Sequence, residues 1–234
     1  MNVPDPQQFE LIPGPVVQLP TPHGLFHVQA WQEPGTGVEH LSLSSAAEPL
    51  EPGPVPLVRV HSECLTGDVF GSYRCDCGEQ LDDALAQVQR HGGTVIYLRG
   101  QEGRGIGLAN KLRAYALQES GADTVEANEL LGLPVDARTY DAAAAILRIL
   151  GQNRIDLLSN NPVKTQRLRE LGIDVRQTVP AEIPSRRENI MYLRTKRDKM
   201  NHLLALGESY LVEPAQPSDP AARALPHELP GNPA

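Results

Sequence analysis

The chain's three cysteines all fall in one stretch, as Cys64-x10-Cys75-x-Cys77. Of all features in the 234 residues, this spacing most restricts what the chain can fold into. An odd, tightly clustered set does not make a disulfide framework; it reads as a metal site or a set of reactive thiols. Three thiolates bind zinc strongly and leave one tetrahedral position open for water, as catalytic zinc requires. With His61 in the fourth position the site would be structural instead. Three buried free thiols are a further option, since free cysteine is often a core residue. Asp76 between two of the cysteines and Gly78 after them fit that option poorly. Spacing alone leaves all three open.

Around this stretch the apolar pattern alternates between strand and helix. Residues 25–31, 38–43 and 57–61 predict strands. Leu81, Ala84, Leu85 and Val88 recur at helical spacing within 79–91, and Gly92-Gly93 breaks that run. A short apolar strand is expected over 94–99, then a helix over 108–119. A third helix covers 140–150, with Gly151 as its stop. Residues 155–158 read as a buried strand. Asn161 and Pro162 then mark the N-cap and first residue of a helix running to about 171. Residues 173–175 suit another strand, and 196–206 a last helix. The Pro-rich stretch 49–56 reads as a linker between strands. The expected class is α/β (α+β), a mixed sheet flanked by helices in a single domain over residues 1–212. Residues 213–234 hold six of the 21 prolines and few large apolar residues, and are expected to be a disordered tail.

Three further motifs could carry chemistry, and each has a plainer reading. Arg99-Gly100-Gln101-Glu102-Gly103-Arg104-Gly105-Ile106-Gly107 joins a predicted strand to a predicted helix. Its glycines let backbone N–H groups approach an anion, and Arg99 and Arg104 add planar donors. It matches neither a P-loop nor a dinucleotide fingerprint, so a flexible turn competes with a phosphate cradle. Ser159-Asn160-Asn161-Pro162-Val163-Lys164 could present helix N–H groups and a lysine to a phosphate, or be an ordinary capped helix with a solvated lysine. Asp136-Ala137-Arg138 in isolation is a surface turn with an ion pair. Tyr115, on the apolar face of its helix, is by pattern more often core than catalytic.

A formal net charge of -8 argues against a dedicated nucleic-acid binder. It leaves room for a small anion in a local basic pocket. No apolar run approaches the roughly 18 residues that span a bilayer, and Met1–Gln8 is polar, so no membrane partner and a cytoplasmic location are expected.

Four blocks taken together, RVHSECLTGDVFGSYRCDCGEQL, QEGRGIGLANKLRAYALQ, DTVEANELLGLPVDARTYDAAAAIL and LLSNNPVK, resemble GTP cyclohydrolase II of riboflavin synthesis. The likeness is dense over residues 59–175 and looser on both flanks. It implies one catalytic Zn2+ per chain on Cys64, Cys75 and Cys77. It further implies GTP contacts at Arg59, Val60, His61, Ser62, Glu63, Gln80, Glu102, Gly103, Arg104, Thr124, Ser159 and Lys164. By the same resemblance Asp136 is the general base, Arg138 the phosphate-attacking residue and Tyr115 the catalytic tyrosine near the zinc. Ser159 stands where the family pattern has Thr, with the hydroxyl kept. The implied reaction hydrolyses GTP, with Mg2+ on its triphosphate, to 2,5-diamino-6-(5-phosphoribosylamino)pyrimidin-4(3H)-one, releasing formate and pyrophosphate. A homodimer is implied as well. The tail has no counterpart in the family pattern, and no match is expected to the dihydroxybutanone-phosphate synthase domain often fused N-terminally. The alternatives are a paralogue that stops at the ring-opened formamide and a non-catalytic zinc or nucleotide-sensing protein. Tyr115 favours full turnover over the first, and Asp136, Arg138 and the intact cysteine set weigh against the second.

Overall fold

The computed structural model describes residues 9–204 apart from 182 and 201. Seven strands form one mixed sheet: β1 (Ile12–Thr21), β2 (Gly24–Gln32), β3 (Glu39–Ser45), β4 (Leu57–Ser62), β5 (Gly93–Leu98), β6 (Arg154–Leu158) and β7 (Asp174–Val179). Their order across the sheet is β1-β2-β3-β5-β4-β6-β7. The first three strands meander antiparallel, and β3 pairs antiparallel with β5. From β5 through β4 and β6 to β7 the pairing is parallel. The helices are α1 (Leu65–Asp68), α2 (Cys77–His91), α3 (Glu102–Gly105), α4 (Leu108–Glu119), α5 (Thr124–Leu130), α6 (Asp141–Ile149), α7 (Pro162–Glu170) and α8 (Ile190–Met200).

Strand β4 shows how the sequence builds the site. Parallel strands need crossover helices, and helices on both faces bury a central strand throughout. Leu57–His61 is accordingly buried along its length. Val58 and Val60 point to the core on one face, among α6 residues such as Ala143, Ile146 and Leu147. Leu57 points to the other, among Phe26, Ala84, Val88 and Val95. The two-residue period then places Arg59 and His61 on this second face, towards α2. Each fully buried Val, Leu or Ile here contributes about 1.5–3 kcal/mol by leaving water. Arg59 and His61 are tolerated among them because they have partners, described below.

Three regions differ from the sequence expectation. Strand β1 lies in a Pro-rich stretch with no strand signal, yet Pro13, Pro15 and Pro20 all sit in it. It is the sheet's edge, where a missing N–H faces no neighbour, and its register slips between Pro13 and Val16. Helix α5 carries a full capping box: Asp123 accepts from Val125 and Glu126, and Glu126 reaches back to the Asp123 N–H. The expected last helix over 196–206 instead spans Ile190–Met200; residues 202–204 are not helical. The expected disordered tail, 213–234, lies outside the described residues.

Candidate active site

At the carboxyl end of β4 the sheet opens. The chain crosses from β4 to β5 on one side and later returns to β6 on the other, a topological switch point where α/β sheets bind ligands. The β4–β6 ladder is only two pairs long, Leu57↔Asp156 and Val58↔Leu157. Beyond it, side chains bridge the strands. Arg59 Nη1 donates to the Leu158 carbonyl at 3.1 Å, and Lys164 Nζ donates to the Val60 carbonyl at 2.5 Å. The cleft over this opening is lined by all but two of the site residues expected from sequence. The exceptions are Val60, which gives its carbonyl to Lys164, and Asp136, which pairs with Arg138.

At one end of the cleft stand the cysteines. Their sulfurs lie within 4.8 Å of one another, with Cys64 Sγ and Cys75 Sγ 3.7 Å apart. Three sulfurs tetrahedral about a zinc at about 2.3 Å would be roughly 3.8 Å apart, so the thiols fit that ion. Close backbone approach makes room for them. A Cβ on Gly67 would come within 2.9 Å of Cys75 Sγ, and one on Gly78 within 2.3 Å of the Gly67 carbonyl. Hydrogen bonds from Cys75 and Cys77, with Lys111 close by, hold the Cys64 thiol far below its ordinary range. The same bond to Cys64 pushes Cys75 up to about 11. Lys111 uses its three donors on Cys64 Sγ at 3.1 Å, Thr66 Oγ1 at 2.8 Å and Glu102 Oε1 at 2.6 Å. Burial alone would lower the Lys111 pKa, but the thiolate and Glu102 raise it.

His61 does not join the thiols. Its Nε2 lies 3.0 Å from Asp68 Oδ1, and its ring stacks on Tyr97. Asp68 Oδ2 also accepts from Tyr97 Oη and from the Cys64 N–H. Among the described residues the metal-ligand group contains the three cysteines and no histidine, against the structural-zinc option with His61.

The Gly-rich segment forms a tight turn, with Gly103 and Arg104 both left-handed at φ 60° and 65°. A positive φ is uncommon outside glycine and marks a position held by its surroundings. Here the Arg104 carbonyl accepts from the Ala137 N–H at 3.0 Å. That bond ties the turn to the Asp136–Arg138 stretch. Both terminal nitrogens of Arg104 are buried without a hydrogen-bond partner among the described residues. Arg99, by contrast, is half exposed beside Glu39 and does not line the cleft. The remaining expected contacts are tied into the cleft walls. Glu63 accepts from the Gly100 N–H, Ser62 donates to Gln101, and Ser159 accepts from the Asn161 N–H. Thr124 opens α5 at the rim.

Arg138 makes a two-pronged ion pair with Asp136, through Nε at 2.9 Å and Nη2 at 2.5 Å. Its side chain is 13% exposed and lines the cleft, while Asp136 and Ala137 before it stay exposed, so the ion-paired turn sits at the cleft's edge. Burial opposes the charge on each partner. The pairing outweighs it, holding Asp136 low and Arg138 high. Lys164 is likewise buried and not a solvated lysine. Burial and the nearby Arg59, Arg138 and Lys196 push its pKa well down. The α7 N–H groups of Val163 and Lys164 are taken by the Asn161 side chain, leaving that helix end little to offer an anion.

Sequence reasoning missed several lining residues. Lys111 and Gln101 lie within quoted blocks but looked like helix surface and loop. Tyr192, Lys196 and His202 come from α8 and the turn after it, with no motif to flag them. Tyr115 does line the cleft, with the Arg74 guanidinium 4.6 Å over its ring.

Over residues 15–180 the sequence matches the model of a family described as GTP cyclohydrolase II. The protein named riboflavin biosynthesis protein RibBA from Mycobacterium tuberculosis is 54% identical over 191 residues, covering 80% of this chain and 45% of that protein. Its namesake from Bacillus cereus is 52% identical over 191 residues, covering 81% and 47%. The chain thus spans about half the length of the curated relatives it matches. A crystal structure of RibBX, a two-domain 3,4-dihydroxy-2-butanone 4-phosphate synthase from A. baumannii, aligns at 23% identity with a TM-score of 0.36, covering 64% of this chain and 34% of that one.

Proposed function

The chain belongs to the GTP cyclohydrolase II family, and from that premise we propose that it hydrolyses GTP to the diaminopyrimidinone nucleotide, formate and pyrophosphate, as an early step of riboflavin biosynthesis. One observation carries the reading: a single cleft with three converging thiols at one end and buried, under-compensated cations at the other. That arrangement suits a ligand with a polyanionic tail and a reactive ring. The relatives' shared name supports the pathway.

Zn2+ held by Cys64, Cys75 and Cys77 would supply a Lewis acid and an activated water for hydrolysis at C8 of the guanine ring. The chain's own groups do the rest. Arg104, with two unpartnered nitrogens, Arg138 and Lys164 bind the triphosphate, and Mg2+ on it would offset part of its charge. Glu102 is fixed by Lys111 and the Leu65 N–H, and sits between the thiols and the Gly-rich turn, where it orients the nucleotide. Tyr115 serves the ring-opening half, as a phenol able to donate or accept a proton.

Arg138 acts by stabilising charge on the phosphoryl oxygens, and not as a nucleophile. A guanidinium has no free lone pair, and its pairing with Asp136 raises its pKa further. Asp136, held as a carboxylate, keeps that fork oriented. A homodimer and a cytoplasmic location belong to the same reading. Among the described residues no helix is long and apolar enough to cross a membrane. The test is incubation with GTP and Mg2+ followed by identification of products by mass. Formate and pyrophosphate in equal yield are expected. Intact GTP would refute the reading, and a formylated nucleotide would restrict it to ring opening.

A further inference from the structure

Helix α8 lies beyond residues 15–180, the stretch that carries the family match, yet it forms a wall of the cleft. Lys196 Nζ pairs with Asp76 Oδ1 at 2.9 Å, both side chains being nearly buried. Asp76 stands between Cys75 and Cys77 in sequence. Its other oxygen accepts from Gln80 Nε2 at 2.6 Å, and Gln80 Oε1 accepts from Arg59 Nη2 at 2.6 Å. An unbroken chain, Lys196–Asp76–Gln80–Arg59, therefore runs from α8 past the thiols to the opening in the sheet.

The helix is also fixed on its other sides. Lys199 pairs with Asp123 and Glu126 of the α5 capping box, and Arg186, just before α8, pairs with Glu79 of α2. After the helix, the Leu203 N–H donates to the Asn160 carbonyl at 2.9 Å. The Tyr192 ring lies 4.8 Å from Lys196 Nζ and 5.8 Å from the Arg104 guanidinium, so α8 also meets the Gly-rich turn.

We propose that Lys196 is a positioning residue for the nucleotide, holding Asp76 so that Gln80 and Arg59 keep the orientation in which they meet the ligand. The inference rests on the nucleotide reading of the cleft. Its physical basis is the cost of a lone buried ion. Without the ammonium, the Asp76 carboxylate is left uncompensated beside the thiols. It then draws on the donor already bound to it, Gln80, and through it Arg59, and pulls them off the cleft. The helix is thereby part of the binding site and not only a cover on it.

The test compares Lys196→Met, Lys196→Gln and Lys196→Arg in the full-length zinc-loaded protein. It measures KM and kcat for GTP, zinc content, and equilibrium binding of a GTP analogue with a methylene bridge between the α- and β-phosphates. Lys196→Met is expected to raise both KM and the analogue's dissociation constant roughly 10- to 100-fold, the usual scale for loss of an outer-shell partner. Its kcat should change less. Lys196→Arg should recover most of the affinity. So should Lys196→Met combined with Asp76→Asn, because no lone ion remains. A merely structural anchor would lower the melting temperature and leave analogue binding unchanged. Should Lys196→Met not fold, Lys196→Gln, which can still donate to Asp76, decides on the same readout. Analogue binding at the wild-type level in a folded neutral variant overturns the proposal. Wild-type protein that binds the analogue but does not turn over GTP would instead overturn the proposed function and leave this inference standing.

Discussion

The two ends of the cleft differ in chemistry, thiols at one and cations at the other. At the thiol end, Cys64 is held as a thiolate against Lys111, with Cys75 and Cys77 close enough to share a cation. Elsewhere in the cleft Arg104, Arg138 and Lys164 converge, and among the described residues only Arg138 has a carboxylate directly on it. One end gathers groups that suit a cation and the other groups that suit an anion. Leaving charges buried and unbalanced is costly, and this contrast is what the proposed nucleotide reading rests on. It also predicts that damage at each end should look different.

The largest effect is expected at the thiol end. Cys75→Ser should reduce zinc from one per chain to near none by elemental analysis and lower formate release by roughly 1000-fold or more, since the ion and its water go together. Unchanged zinc content would remove the cysteines as its ligands. Damage to the cationic end should instead spare the zinc. Arg138→Lys keeps the charge but loses the planar fork that grips Asp136 and would grip a phosphate. Pyrophosphate release should fall about 100-fold, the scale for losing one oriented oxyanion donor. A rate near wild type would show that Arg138 merely balances charge.

Tyr115 tests whether the two ends act separately. Tyr115→Phe is nearly isosteric and should cost little stability. Formate release should slow by roughly 10- to 100-fold while pyrophosphate release continues, because the Tyr115 ring lies 5.7 Å from Lys111 Nζ, which donates to Cys64. An unchanged ratio of the two products would return Tyr115 to the structural residues.

The smallest effect concerns His202. Burial, then Lys196, Arg138, Lys164 and Arg104, push its pKa down to about 3. The folded protein thus keeps this imidazole neutral where an unfolded chain protonates it near pH 6.5. Below about 6.5 the unfolded state binds the extra proton. Stability should therefore fall as pH drops, by up to about 1.4 kcal/mol per unit from this group. His202→Gln should flatten that limb in thermal melts across pH 4–7. The same slope in both proteins would place the ring outside the field of the cations.

The thiol end was more legible in the sequence than the cationic end, for a physical reason. Cys64, Cys75 and Cys77 lie close along the chain, and few side chains do what they do. The cationic end is assembled from three separate segments, and each part alone resembles something ordinary. Lys164 reads as a helix-surface lysine until the β4–β6 opening buries it, and Asp136–Arg138 reads as a surface pair until the Arg104 turn packs on it. Helix α8 was misplaced because ion pairs hold it rather than an apolar stripe, so no periodicity marks its start. The prolines of β1 hid an edge strand. The Asp123–Glu126 capping box did announce α5 and could have been read.

The short β4–β6 ladder has one more consequence. Backbone pairing ends at Val58 and Leu157, and past that point the halves of the sheet are stitched by the side chains of Arg59 and Lys164. A seam of paired amides offers nothing to an anion, whereas a seam of side-chain donors does. Any polyanion that settles over these two residues competes for their donors and tightens or slackens the seam. In amide hydrogen exchange, the ends of β4 and β6 should therefore report occupancy of the cleft, while the outer strands β1 and β2 stay silent.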